Sequence, residues 1–472
     1  MIALTLDEVA AFVGGTVDAA DGRTTVVTGP AFLDSRRPEP GGLFAAIRGE
    51  HVDGHDYAAR AVEGGAAAVI GSRPTGVPAV LVTDVQAALH TLAAEVLRRL
   101  RRANPALRVV AVTGSQGKTS AKDMLAAVLG AAAPTVATYQ SFNNELGLPL
   151  TVLRAVPDTR YLVLEMGARG IGHLAALCAT APPDVSLVLN VGLAHVGEFG
   201  SQTAIATAKG ELVEALGPDG IAVLNLDDPL VAGMAPRTRG RVRTFGRGPG
   251  ASLRLEAVEL DDLGRSSFDL HEGSQRVRVR LRLLGEHQAT NAAAAATVAR
   301  ALGLPLAAIG AALERIETLS PWRMELHERA DGLVVVNDAY NANPDSMRAG
   351  LETLAGIGRR TGRRTVAVLG EMRELGDAAA EEHRAVGRLA NELGIDRVVV
   401  VGEGARAIGE TARAASFYAS VTEAGDAVRD NVDAADVVLV KASRAAGLER
   451  LATALLAEPG KLSEEQMEEG SA

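Results

Sequence analysis

The chain is poor in the residue types that mark several functional classes. It has one cysteine among 472 residues, Cys178, so neither an intrachain disulfide nor a cysteine metal cluster can form. Aromatics make up 3% of the chain, with one Trp, five Tyr and eight Phe, which argues against aromatic cages or base-stacking platforms. Basic residues are outnumbered, 48 Lys and Arg against 58 Asp and Glu, for a net charge of -10. That balance argues against nucleic acid as a partner but leaves room for a small anion in a local basic pocket. No apolar run reaches about 18 uninterrupted residues, so no membrane span is expected. The opening MIALTLDEVAAFVGG has no basic stretch ahead of an apolar one, so no signal peptide is expected either. A reducing cytoplasm and a buried, unreactive Cys178 follow as expectations.

What the chain does have is 47% apolar residues and 51 glycines, the composition of a folded protein of two to four domains. Its core has to be built from Ala, Val and Leu. Three parts can be read, with boundaries at 1–105, 106–317 and 318–472. In the first, TLDEVAAFVGG reads as a helix with Thr5 as N-cap and Glu8 completing a capping box. VDGHDYAARAVEGGAAAVI reads as helix, turn and strand, and AALHTLAAEVLRRLRRAN as a long helix ending at Asn104-Pro105. In the second, LRVVAV, YLVLEMG, VSLVLN and IAVLNLDD read as buried strands of a largely parallel sheet with helical crossovers. Residues 251–284 alternate with period two, as an antiparallel hairpin does, and NAAAAATVARAL reads as a helix. In the third, LVVVND, TVAVLGEM, RVVVVG and VVLVKAS are strands separated by helices, followed by an acidic polar tail. The fold class is α/β throughout.

The strongest chemical signal is VVAVTGSQGKTSAKDMLAAVL at 109–129. A strand runs into Thr113, Gly114, Ser115, Gln116, Gly117, Lys118, Thr119 and Ser120, and a helix follows. Glycines let backbone N–H groups turn toward a phosphate, the helix N-terminus favours negative charge, Lys118 adds a point charge, and Thr119 can ligate Mg²⁺. Val112 stands where the longer phosphate loop has its first glycine, so this is a shortened G-x-x-G-K-T loop.

Acidic and imidazole groups recur at the ends of the apolar runs: Glu165, His195, Asp227, Asp228, Asp338 and Glu371. Ligands of open α/β sheets gather beyond the carboxyl ends of the strands. Downstream of a phosphate loop, Glu165 and His195 are candidates for holding Mg²⁺. Asp227 and Asp228 are balanced between a turn role and a functional one. Lys209, in IATAKGELVEAL, reads on sequence alone as a solvated helical lysine. Arg323 reads as a surface or hinge cation or as a phosphate contact. NDAYNANPDSM at 337–347 reads as a polar strand-to-helix loop, with Asp345 or Ser346 capping the helix, and is dense in groups able to recognise a polar ligand.

These residues carry a resemblance. TGSQGKTS (113–120), SFNNELGLPLT (141–151), LEMGARGIGHL (164–174), NVGLAHVGEFGS (190–201), AKGEL (208–212), NLDDP (225–229), LGEHQATNAAAA (284–295), NDAYNANPDSM (337–347) and LGEMRELG (369–376) resemble the Mur ligase family over essentially the whole chain. DSRRPEPGGLFAAIRGEHVDGHDY (34–57) is similar to its uridine-nucleotide domain. Two positions depart from the family pattern: Gln288 follows His287 where Asn is usual, and KASRAAG stands where K-G-S-R-G is usual.

The resemblance implies a UDP-binding α/β domain, a central P-loop parallel-sheet ATPase domain and a C-terminal Rossmann-like domain. It implies an ATP-dependent ligase of peptidoglycan precursor synthesis that works through an acyl phosphate. EMGARGIGHL, NDAYNANPDSM and LGEMRELG point to the branch whose substrates are UDP-N-acetylmuramoyl-tripeptide and D-alanyl-D-alanine. ATP and two Mg²⁺ are implied, and a monomer is expected.

By the same resemblance, Lys118, His195 and Lys209 are catalytic. Thr119, Glu165, His195 and Lys209, the last as a carbamate, are metal ligands. Asn291, Arg323 and Asp338 contact the nucleotide, Ser35 and Arg36 the uridine nucleotide, and Asn341, Asn343 and Ser346 the dipeptide side. Two alternatives stay open: a sister ligase adding a single amino acid, and a nucleotide-dependent binding module.

Overall fold

The computed structural model describes residues 1–18, 24–49, 52–140, 142–192, 201–373 and 375–457. By packing, the chain divides into two compact units. The first comprises Met1–Glu256, Asp269–Val277 and Thr290–Leu313; the second comprises Ala257–Phe268, Arg278–Ala289 and Glu314–Ala472.

In the first unit a small sheet has the strand order Thr16–Asp18, Ala79–Leu81, Ala68–Gly71, Leu43–Ala45, Ala31–Phe32. The edge pair 16–18 with 79–81 is antiparallel and the remaining pairs are parallel. The first helix, Leu6–Val13, begins as its sequence requires. The Thr5 side chain accepts from Glu8 N, and the Glu8 carboxylate accepts from Thr5 N, while Gly14 closes the helix in the left-handed region at φ 65°.

The amphipathic helix Val85–Ala103 joins this layer to the large sheet. Its buried face, including Leu89, Leu92, Val96 and Leu97, belongs to one apolar cluster that runs from Met1 and Leu4 to Leu224 and Met234. The first two sequence parts therefore share a core, although each has its own sheet. The large sheet follows the order Gln275–Leu284, Arg265–Glu272, Leu253–Leu260, Arg241–Gly246, Ile221–Asn225, Val185–Val188, Arg108–Thr113, Tyr161–Glu165, Thr135–Ala137.

From 241–246 to 135–137 every pair is parallel. Residues 251–284, read from sequence as a hairpin, are three strands, because a second turn at Glu272–Gln275 continues the alternation. The strands 135–137 and 241–246 were not signalled by any long apolar run. The helix His287–Ala301 presents Ala292 to Ala296, all fully buried. A run of methyl side chains lets neighbouring elements approach closely.

The second unit holds a sheet in the order Glu325–Glu328, Val334–Asp338, Asp436–Lys441, Arg364–Leu369, Arg397–Val401, Ala415–Tyr418. Only the first pair is antiparallel. Separate apolar clusters cover its two faces, one around Leu351, Leu354 and Leu389, the other around Leu448, Leu451 and Leu455. This is the doubly wound layering expected for a Rossmann-like part. No described helix is long and apolar enough to cross a membrane.

The cap at Thr5 gives a direct test. Thr5→Ala removes a side-chain acceptor from an orphan helix N–H and lowers stability by about 1 kcal/mol. Denaturant midpoints read by circular dichroism measure it, and Thr5→Ser keeps most of the wild-type value.

Candidate active site

The Arg108–Thr113 strand is buried from Val109 onward, and the helix Lys118–Gly130 begins five residues beyond its end. Between them the backbone turns at Gly117, which has φ 75°, the left-handed region that glycine enters without a steric penalty. A side chain there is excluded a second way, since a Cβ would lie 2.6 Å from Asn291 Oδ1. Asn291 thus abuts the loop. Lys118 Nζ folds back over the turn and donates to Gly114 O at 2.8 Å and Ser115 O at 3.4 Å. Thr119 is buried in the first helical turn, with Ser120 half-buried beside it.

The loop is braced by a residue the sequence reading quoted but did not single out. Asn190 lies just beyond the Val185–Val188 strand, and its Oδ1 accepts from Ser115 N at 3.0 Å and Gln116 N at 2.9 Å. Its Nδ2 donates to Gln116 O at 3.2 Å. The available signal was an amide side chain at the end of an apolar run adjacent to the loop's own strand. Asp228 supports the same segment by accepting from Val191 N at 2.8 Å while it caps the helix Pro229–Ala232. Asp227 accepts from Arg247 N at 3.0 and 2.9 Å. Both aspartates are therefore occupied in shaping turns.

Parallel register brings Glu165 to the loop. It pairs with Val112, and Thr113 Oγ1 donates to Met166 O at 2.9 Å across the same strand ends. Glu165 is 1% exposed. Its Oε1 accepts from Asn143 Nδ2 at 2.7 Å, and its Oε2 is buried with no hydrogen-bond partner. A buried carboxylate oxygen left without a donor is costly, and a cation removes that cost. The site therefore fits Mg²⁺, a hard ion commonly held by one or two carboxylates together with phosphate oxygens and water. Among the described residues no group of three or more His, Cys, Asp and Glu converges. His195 lies outside the described residues.

Lys209 corrects the sequence reading. It sits on the helix Gln202–Glu214, which Ser201 caps, and it is buried rather than solvated. Burial, with a smaller push from the Lys118 cation, lowers its amine to about 7. Two residues on, Glu211 accepts from Gly172 N at 2.6 Å and Ala175 N at 3.0 Å and so caps the helix His173–Thr180. Cys178 is buried and its thiol is pushed up to about 12 by desolvation, which makes it inert, as expected. Near the small sheet, Ser35 is buried, and Arg36 pairs with Asp34 at 3.0 Å on the surface.

In the second unit, the buried Asp338 accepts from Lys441 Nζ at 2.5 Å and from Met324 N at 3.1 Å. Lys441 also donates to Asn341 O at 3.0 Å. Lys441, first residue of KASRAAG, was not singled out from sequence, where a lysine ending a strand gives little sign of burial. Arg323 is half-buried rather than a surface cation, with its guanidinium 4.1 Å from the Tyr340 ring centre and its Nε buried without a partner.

Trp322 and Met324, on either side, have φ 60° and 52°, a strained conformation for residues of that size. The N-cap of the helix Pro344–Thr361 is Asn343, not Asp345 or Ser346: Asn343 Oδ1 accepts from Ser346 N at 2.8 Å and Ser346 Oγ from Asn343 N at 3.0 Å. Pro344 at the first helical position places the cap one residue before it. Glu371 lies beyond the Arg364–Leu369 strand, and its backbone O accepts from Ser443 N at 2.9 Å.

Gly117→Ala tests the loop. It strains the backbone and collides with Asn291, so ATP affinity falls at least tenfold while the far-ultraviolet circular dichroism is unchanged. Equilibrium dialysis with labelled nucleotide measures the loss.

Comparison with known proteins gives this geometry a context. The chain matches the Mur ligase middle domain over residues 112–299 and the Mur ligase glutamate ligase domain over 322–444. It also matches the Mur ligase family catalytic domain over 32–133. It is 46% identical to the UDP-N-acetylmuramoyl-tripeptide–D-alanyl-D-alanine ligase of Mycobacterium tuberculosis, over 97% of this chain and 98% of that one. It is 36% identical to the enzyme of the same name from Escherichia coli, over 96% and 99%.

Among solved structures, MurF from Acinetobacter baumannii superimposes with a TM-score of 0.85 at 31% identity, over 97% of this chain and 99% of that one. A MurF ligase from Thermotoga maritima in complex with ADP gives 0.75 at 32% identity, over 91% and 97%. Matched by Mur ligase family models along most of its length and 46% identical to a relative over 97% of the chain, the chain belongs to the Mur ligase family.

Proposed function

We propose that this protein is the ATP-dependent ligase that joins D-alanyl-D-alanine to UDP-N-acetylmuramoyl-tripeptide, a step of peptidoglycan precursor synthesis in the cytoplasm. The observation that carries the reading is the Gly114–Thr119 loop, with Glu165 beside it presenting an unsatisfied buried oxygen. Near-full-length identity to ligases of that name, and the likeness to a relative in complex with ADP, support the choice of substrates. The tripeptide carboxylate attacks the γ-phosphorus of ATP to give an acyl phosphate and ADP. The dipeptide amine then attacks the acyl carbon and gives up a proton to solvent, and phosphate leaves as the amide forms.

Phosphoryl transfer asks a protein for positioning and charge neutralisation more than for covalent help. The backbone N–H groups from Gly114 to Lys118 and the Lys118 ammonium hold and neutralise the phosphates. Thr119 and Glu165 would hold Mg²⁺, His195 a second ion. Bound there, Mg²⁺ supplies positive charge against the phosphate oxygens. Asn291, which lies against the loop, is assigned to the nucleotide. Arg323 and Asp338 are assigned to the nucleotide, Ser35 and Arg36 to the uridine nucleotide, and Asn341, Asn343 and Ser346 to the dipeptide side. In that last group Asn343 and Ser346 act through the helix cap they form.

Lys209 is assigned as the lysine that takes up CO₂. Its neutral amine attacks the CO₂ carbon and loses a proton, leaving a carbamate. An amine held at about 7 is half neutral near pH 7. Below that the ammonium dominates and has no lone pair, so carbamate content falls with falling pH.

A ¹³C carbamate signal from labelled bicarbonate is expected to grow as pH is raised through 7 and to be missing from Lys209→Ala. That variant loses at least tenfold in kcat, and acetate or formate restores part of it. Full activity in Lys209→Ala, with no response to either acid, overturns this assignment.

The reaction itself is tested by identifying products from both UDP-muramoyl tripeptides, with lysine or diaminopimelate at position three. Phosphate release is expected only with tripeptide and dipeptide together. Release without them identifies a nucleotide-driven binding module, and ligation of single amino acids identifies a sister ligase.

A further inference from the structure

The amino ends of the central parallel strands enclose a cleft of about 630 Å³, all of it within the first unit. It stands at the other end of the sheet from the phosphate loop. Arg108 opens the strand that ends at Thr113, so the two lie about 17 Å apart along that strand. No residue assigned to the ligase reaction lines it.

Its lining is strongly one-sided in charge. Arg101, Arg108, Arg160 and Arg241 face it, against Asp184 and Asp219. Asp184 is already committed, accepting from Arg101 Nη2 at 2.9 Å and from Val109 N at 2.7 Å. Arg108 Nη1 donates to Pro105 O at 2.7 Å and Leu107 O at 2.9 Å, contacts that fix the guanidinium without neutralising it. Among the described residues no carboxylate pairs with Arg108, Arg160 or Arg241. Arg160 Nη1 and Arg101 Nε are buried donors with no acceptor.

The floor is stitched together by the backbone: Arg108 N donates to Arg160 O at 2.9 Å, Ile221 N to Asp184 O at 3.0 Å, and Arg241 N to Gly220 O at 2.9 Å. Four guanidinia on a rigid frame, two of them with orphaned donors, are a poor arrangement for stability alone and a good one for an anion.

We propose that this cleft is a second anion site, separate from the ATP loop, which takes a compact phosphate-bearing ligand. Guanidinium forks match phosphate oxygens in pairs, and the volume accommodates a pyrophosphate or a nucleotide. The competing account is that the arginines only offset the negative ends of helices such as Val85–Ala103, whose last turn contains Arg101.

The test uses the full chain carrying Lys118→Ala, which disables the ATP loop and separates this site from the ligase reading. Pyrophosphate titrated by calorimetry is expected to bind one site there. Adding Arg108→Ala, Arg160→Ala or Arg241→Ala weakens that binding at least tenfold each. Arg241 is exposed, so Arg241→Ala keeps the fold, and on an intact loop it keeps ligase activity within twofold. Displacement of the bound pyrophosphate by inorganic phosphate shows that the cleft reads the phosphate group itself. No uptake by the Lys118→Ala chain, or equal uptake with Arg241 and Arg160 replaced, overturns the proposal and leaves the arginines as counter-charge.

Discussion

The pairing of the Arg108–Thr113 strand with Tyr161–Glu165 on one side and Val185–Val188 on the other decides where the reactive groups of the central sheet stand. Register sets Glu165 against Val112 and Val188 against Thr113, so three strand ends stop together. A slip of one residue would turn Glu165 to the other face of the sheet. Because the ends coincide, the loop after Thr113 can be braced from the third strand by Asn190 and faced from the second by Glu165. Gly117 then has to be glycine, since the Asn291 side chain fills the space where a Cβ would go. Strand pairing, loop conformation and the position of a carboxylate are thus parts of one constraint.

That constraint also explains how an acidic chain can handle several phosphates. With a net charge of -10, whole-molecule steering works against anionic substrates. Attraction must be local, in Lys118 and in backbone N–H groups at a helix N-terminus. Lys209 shows the other side of low-dielectric burial. The same dryness that strengthens each contact makes a lone ammonium unfavourable, and Lys118 adds like-charge repulsion, so the amine sits near neutrality.

Much of this was legible before folding was considered. The Thr5–Glu8 capping box, the long helix ending at Asn104, the main buried strands and the phosphate loop are local, each set by residues within a few positions of one another. The misreadings have separate causes. A third strand in 251–284 was missed because period-two alternation does not say where an extra turn falls. Asn343 was passed over as a cap in favour of Asp345 and Ser346, though Pro344 pointed to it. Lys209 was read as solvated because its own helix does not reveal what packs against it.

The sequence by itself determined the class of fold, the position of the phosphate loop and the family, since these rest on periodicity, glycine placement and contiguous motifs. Only the tertiary structure decided that Glu165 keeps an unsatisfied oxygen, that Asn190 holds the loop and that Lys441 is buried against Asp338. It alone also showed that four arginines, one from a helix, two from strands and one just ahead of a third strand, share one cleft. Those facts depend on pairs of residues up to about a hundred positions or more apart, as with Asp338 and Lys441. Their energies come from desolvation and hydrogen bonding between partners that only folding brings within reach.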